Sequence, residues 1–146
     1  MSNVSDSEVF ERFGPPTWID HDNIDFLRGF LEHRLLINRC GNCQRWSQPP
    51  YPVCPSCQSD DVHPAEVSGR GEIFTFTILH TGGSPGVDYA KGHPVAVIDL
   101  EEQAGLRASG TIVNCAHEDI RIGMPVEMTW IKRNGADIPA WQPAGT

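Results

Sequence analysis

The sequence predicts a mainly β chain: an N-terminal helix, a small cysteine-built ribbon, and a five-stranded C-terminal barrel. Three observations predict it. Two Cys-x-x-Cys pairs stand ten residues apart in the first half. An apolar stripe with three- and four-residue spacing runs just ahead of them. After Pro64 the pattern changes to period two, in β-branched and aromatic runs separated by glycine-containing turns.

Composition sets the outer limits. The 146 residues suffice for one ordinary domain or two small ones. With 39% hydrophobic and 21% charged residues the chain reads as globular. No apolar run approaches the ~18 residues of a membrane span, and the polar stretch Met1 to Glu11 lacks a signal-peptide core. A soluble, cytoplasmic protein that avoids membranes is expected. Net charge is −8, and no segment is basic: residues 1–39 hold seven acids against four bases, and residues 67–146 nine against six. Nucleic-acid binders draw their affinity from Lys and Arg on phosphates, so no nucleic-acid partner is expected.

Residues 1–20 read as a flexible arm, with Gly14-Pro15-Pro16 forbidding helix near its end. Residues 21–39 hold the N-terminal helix and a lead-in strand. Ile24, Leu27, Leu31 and Leu35 form the stripe, widened by Phe26 and Phe30. Asp20 or Asp22 is placed to cap the helix, and if Asp20 is the cap, Ile19 can staple onto Ile24. Arg34 to Arg39 reads as the strand that feeds the cysteines. The amphipathic stripe serves either core packing or a partner.

Residues 40–66 form the ribbon. Cys40-Gly41-Asn42-Cys43 and Cys54-Pro55-Ser56-Cys57 have the spacing of a four-thiolate zinc site. Two residues between paired cysteines let a tight turn aim both sulfurs at one point, and Gly41 and Pro55 suit such turns. One redox pair would need a βαβ setting, which the sequence lacks. Disulfides would need a secreted chain. Four thiolates fill the coordination sphere, so the Zn²⁺ is expected to be structural rather than catalytic. Between the pairs, Pro49, Pro50 and Pro52 favour a stiff extended segment. Trp46 and Tyr51 either pack over the metal site or form an aromatic tip for a partner.

Residues 67–146 form the barrel. Strands are predicted over 72–79, 94–100, 106–114, 126–132 and 138–142. A Gly-rich loop follows the first, a short helix near 116–120 precedes the fourth, and Asn134-Gly135 makes the last hairpin turn. Five strands with a helix between the third and fourth match an OB-fold. No catalytic set emerges. Cys115 has no evident base or cation to make it a nucleophile, and it reads as a small buried residue. His80 and His93 flank the Gly-rich loop, as loop residues or as ligand contacts.

From about Phe26 onward, over roughly four fifths of the chain, the sequence resembles one family. The resemblance is carried by the cysteine ribbon with Pro49-Pro50, by Glu66-Val67-Ser68-Gly69-Arg70-Gly71, by Phe76-Thr77 and His80, and by Arg121-Ile122-Gly123-Met124-Pro125-Val126. That family is catalogued as domain of unknown function thirty-five. The resemblance implies a rubredoxin-like zinc ribbon joined to an OB-fold. It further implies a non-catalytic accessory subunit of a thiolase-superfamily enzyme, whether thiolase, acyltransferase or retro-aldolase. Acyl-CoA would be the substrate of the complex, the partner a thiolase-fold protein, with two copies of each chain. Phe30, Trp46 and Tyr51 are the candidate partner anchors. Arg70, His80, Tyr89, Lys91, Trp130 and Lys132 are the candidate CoA or channel contacts, since CoA needs cations and a flat stacking surface. A free-standing acyl-CoA hydrolase or transferase and a nucleic-acid module are the alternatives.

Overall fold

The computed structural model describes residues 3–145. Met1, Ser2 and Thr146, assigned from sequence to the arm and the barrel, lie outside them. The chain divides into two compact units. The first takes residues up to Ser68 with Gly135–Asp137, and the second takes Gly69–Asn134 and residues from Ile138 onward.

The first unit opens with a helix where the sequence reading placed a flexible arm. Helix α1 spans Asp6–Phe13. Ser5 and Glu8 form a capping box: the Ser5 hydroxyl accepts from the Glu8 N–H at 3.3 Å, and the Glu8 carboxylate accepts from the Ser5 N–H at 2.7 Å. Val9 is fully buried. Phe13 meets Phe30 edge-on at 5.7 Å, and Arg28 donates to the Val4 carbonyl at 2.6 Å and to the Asp6 carboxylate. This apolar contact and guanidinium clamp order a segment too short to hold a helix by itself. Helix α2 spans Ile24–Leu31, shorter than the apolar stripe. Asn23 is its N-cap residue, but its side chain does not cap the helix; it accepts the Asp20 N–H at 2.9 Å and donates to the Trp18 carbonyl at 3.4 Å. Asp20 instead accepts the N–H groups of Asp22 and Asn23 in the turn before it.

Three strands build the ribbon: β1 (Leu36–Cys40), β2 (Trp46–Ser47) and β3 (Val62–Glu66), in the order β2-β1-β3, all antiparallel. Leu35 ends the apolar stripe yet lies ahead of β1, because Arg34 N–H bonds the Gly29 carbonyl at 2.8 Å and turns the chain out of the helix. β3 was not expected, since it contains Pro64. It lies at the sheet edge, where a missing N–H is tolerated.

The second unit holds β4 (Arg70–Leu79), β5 (His93–Leu100), β6 (Arg107–Thr111), β7 (Pro125–Arg133) and, from Ile138 onward, β8 (Ala136–Pro143). Their order is β6-β5-β4-β7-β8. Ile112 bridges to Trp141, and Val113 N–H donates to the Trp141 carbonyl at 2.8 Å, so the sheet curls into a nearly closed barrel. β5 buries every second residue, among them Ala96, Ile98 and Leu100. Trp141 is 1% exposed and fills the interior against Gly110. A bulge in β4 between Ile73 and Thr75 turns Phe74 outward, where the Arg107 guanidinium lies 3.7 Å over its ring.

Candidate metal centre and the surrounding surfaces

The two cysteine pairs fold into the same local turn. In the first, Gln44 N–H bonds the Cys40 carbonyl at 3.0 Å, and Cys40 N–H bonds the Arg45 carbonyl at 2.9 Å. In the second, Gln58 N–H bonds the Cys54 carbonyl at 2.9 Å, and Cys54 N–H bonds the Ser59 carbonyl at 2.9 Å. Each turn closes on a glutamine in the left-handed region, φ 67° at Gln44 and 64° at Gln58. Sequence reasoning missed both, because glutamine carries no preference for that region. Gly41 has a different reason to be glycine. Its N–H bonds the Asp61 carbonyl at 2.7 Å, and a Cβ there would sit 2.1 Å from the Asp61 carboxylate.

These turns bring the four sulfurs of Cys40, Cys43, Cys54 and Cys57 within 4.8 Å of one another. Cys40 and Cys57 are 3.6 Å apart, as are Cys43 and Cys54. A tetrahedron with Zn–S bonds of about 2.3 Å needs sulfurs about 3.8 Å apart, so the set fits zinc. Cys40 and Cys54 are buried at the base, while Cys43 and Cys57 face solvent. Backbone N–H groups of Asn42 and Cys43 point at the Cys40 sulfur, and that of Ser56 at Cys54, at 3.3 to 3.4 Å. Such donors stabilise thiolate over thiol. The Asn42 side-chain amide donates to Cys57, and with the Ser59 N–H it pulls that thiol down to about 6. The Arg45 N–H pulls Cys43 the same way, but desolvation and the other sulfurs outweigh it and push Cys43 up to about 11.

The partner candidates separate. Phe30 is 8% exposed and meets Phe13 and Phe26 edge-to-face. Trp46 is 8% exposed under the Arg39 guanidinium at 4.8 Å. Both are buried in the first unit, so neither offers an exposed ring as the expected partner anchor would. Tyr51 remains exposed, on the wall of an open cleft of about 270 Å³ shared with Asp22, Asp25, Asp60 and His63. Trp18, 75% exposed, and Val53 are exposed apolar residues that the sequence reading passed over.

The CoA candidates separate too. His80, Tyr89 and Lys91 gather around the loop between β4 and β5. The Tyr89 ring lies against Gly82, its hydroxyl accepts the Ser84 N–H, and His80 and His117 both approach Gly92. Lys91 sits 3.8 Å from Asp88. Arg70 is not with them: it pairs with Glu101 at 3.0 Å at the opposite end of β4. The cleft near it, about 420 Å³, is lined by Glu72, Asp99 and Glu101 as well as Arg107, a poor lining for phosphates. Trp130 and Lys132 are two residues apart on β7 and share one of its faces. Cys115 donates its S–H to the Ala116 carbonyl at 3.4 Å, and burial with the nearby Asp119 pushes its thiol up, away from the reactive thiolate.

Residues 28–63 match the family described as "ChsH2, rubredoxin-like zinc ribbon domain", and residues 65–130 match "ChsH2, C-terminal OB-fold domain". A "DUF35 domain-containing scaffold protein" of Methanocaldococcus jannaschii is 36% identical, over 75% of this chain and 79% of that protein. The chain belongs to the DUF35 family. The expected ribbon and barrel are thus the family's own two domains. A "Probable enoyl-CoA hydratase alpha subunit" of Thermomonospora curvata is 31% identical over 89% of this chain, which spans only 40% of that subunit's length. Among solved structures, a chain of "Ltp2-ChsH2(DUF35) aldolase" superposes with a TM-score of 0.78 at 31% identity, covering 87% of this chain and 98% of that one. Among the described residues, no DUF35 helix here is long and apolar enough to cross a membrane.

Proposed function

We propose that this DUF35 chain is a zinc-binding, non-catalytic accessory subunit of a cytoplasmic enzyme that acts on acyl-CoA. The observation that supports this reading is the likeness, over 87% of this chain and at 31% identity, to a chain of the solved "Ltp2-ChsH2(DUF35) aldolase". The name of the Thermomonospora relative, a hydratase alpha subunit, points to the same kind of pathway. The catalytic partner is a thiolase-superfamily protein, a thiolase, acyltransferase or retro-aldolase, assembled with two copies of each chain. This subunit stabilises that partner and shapes its acyl-CoA channel. Chemistry stays with the partner, in keeping with the raised Cys115 thiol and the closed four-sulfur site. Docking runs through the exposed Trp18, Tyr51 and Val53 rather than through the buried Phe30 and Trp46. Contact with CoA falls to the loop bearing His80, Tyr89 and Lys91.

Affinity purification of the tagged chain from its own cells tests the proposal. A thiolase-superfamily protein is expected to co-purify in stoichiometric amount and to turn over acyl-CoA only with this chain present. A partner fully active by itself, or no partner at micromolar concentration, would overturn it.

A further inference from the structure

The two knuckles are alike in their backbone and unlike in one side chain. Cys40 receives N–H bonds from Asn42 and Cys43, and Cys54 receives them from Ser56 and Cys57. Cys43 and Cys57, the two exposed sulfurs, each receive one backbone N–H, from Arg45 and Ser59. The asymmetry enters at the third position of the knuckle. Asn42 reaches across and donates its amide to Cys57 at 3.5 Å. Ser56 holds the matching place in the second knuckle, and its shorter side chain makes no matching bond to Cys43. Among the four sulfurs, Cys43 is therefore both exposed and the least hydrogen-bonded.

We propose that Asn42 fastens the Cys57 arm of the zinc site and leaves Cys43 as the sulfur at which electrophiles open it. A thiolate that accepts an N–H bond holds its lone pairs lower in energy and attacks more slowly. With an alkyl halide such as iodoacetamide, the Cys43 sulfur forms the S–C bond, the C–I bond breaks, and iodide leaves with the electron pair. The resulting thioether is a weak zinc ligand, so the metal is released. Asn42 acts here as a positioning residue, through the sulfur it holds.

The test uses the zinc-loaded full chain carrying Cys115→Ala, treated at neutral pH with limiting iodoacetamide. Labelled peptides are read by mass spectrometry and zinc release by a chromogenic chelator. Cys43 is expected to label first, ahead of Cys57 by about five-fold, the ratio one ordinary hydrogen bond supports, with zinc release tracking it. In Asn42→Leu, similar in shape but without a donor, Cys57 is expected to label as fast as Cys43. Loaded with Co²⁺, that variant should show its sulfur-to-metal charge-transfer band at lower energy while the tetrahedral d–d bands stay. If Asn42→Leu takes up no metal, Asn42→Ala replaces it, and the labelling order in the parent chain still decides. Labelling that begins at Cys57, Cys40 or Cys54, or an order unchanged without the Asn42 amide, would overturn the proposal.

Discussion

Gln58 closes the second knuckle at φ 64° with no side-chain bond of its own, whereas Gln44 ties its amide to the Gly41 carbonyl at 2.9 Å. Left-handed backbone costs an L-residue about 1–2 kcal/mol. Gln58→Gly is thus expected to keep or slightly raise the melting temperature of the zinc-loaded chain. Gln58→Val, stiff at χ1, is expected to lower stability by at least about 1–2 kcal/mol. The four ligands, by contrast, were legible at once, because metal spacing is a local property of sequence. Cys40→Ser and Cys57→Ser should each abolish the single zinc expected per chain, by elemental analysis, and unfold the ribbon with it. Retained stoichiometric zinc would speak against the site. His93 is the residue with a readable pH consequence. Burial first, and then Arg133, hold its pKa below the usual 6.5. It stays neutral in the fold where the unfolded chain would protonate, so its influence is nil at higher pH and destabilising as pH falls below 6.5. An NMR titration midpoint above that value would refute the assignment.

Among the elements, strands β4 to β8 were legible because alternation and turn residues report them directly. The helix α1 was not, although Ser5 and Glu8 spell a capping box and Val9 and Phe13 fall on one face. Gly14-Pro15-Pro16 argues for a break, and it does end the helix, but it says nothing about the residues before it. The decisive contacts, Phe13 on Phe30 and Arg28 on Asp6, are tertiary. β3 escaped for a similar reason: Pro64 weighs against a strand until its partner β1 places it at an edge. In the barrel, Gly110 and Trp141 depend on one another. A Cβ at Gly110 would lie 3.0 Å from the Trp141 ring, and the indole N–H is buried without a partner. Gly110→Ala is expected to cost about 1–3 kcal/mol through overpacking, and Trp141→Ala about 3–5 kcal/mol through the void left. Urea titration would check both. A neutral Gly110→Ala would mean that the ring can shift freely.

At the scale of the whole molecule, the sequence was legible as a family sooner than as a surface. Aromatic identity marked Phe30, Trp46 and Tyr51 alike, but burial, which is set by tertiary packing, leaves only Tyr51 on the outside. The distinction makes a prediction about assembly. Trp18→Ala with Tyr51→Ala is expected to weaken partner binding at least ten-fold, as loss of aromatic anchors does, with zinc content and melting temperature unchanged. Trp46→Ala should do the reverse, lowering the chain's own stability by about 3–5 kcal/mol. Isothermal titration beside thermal melts would separate the two, and an undiminished affinity in the double variant would move the interface elsewhere.

The bridge between Ile112 and Trp141 makes the barrel a band joined along a seam. A sheet held by long ladders elsewhere, such as the pairing of β4 with β5 from Gly71 to Leu79, breathes first where its join is shortest. The Val113 amide lies on that join. Its exchange with deuterium should run ahead of the amides in the middle of β5, and so time how often the wall parts without the chain unfolding.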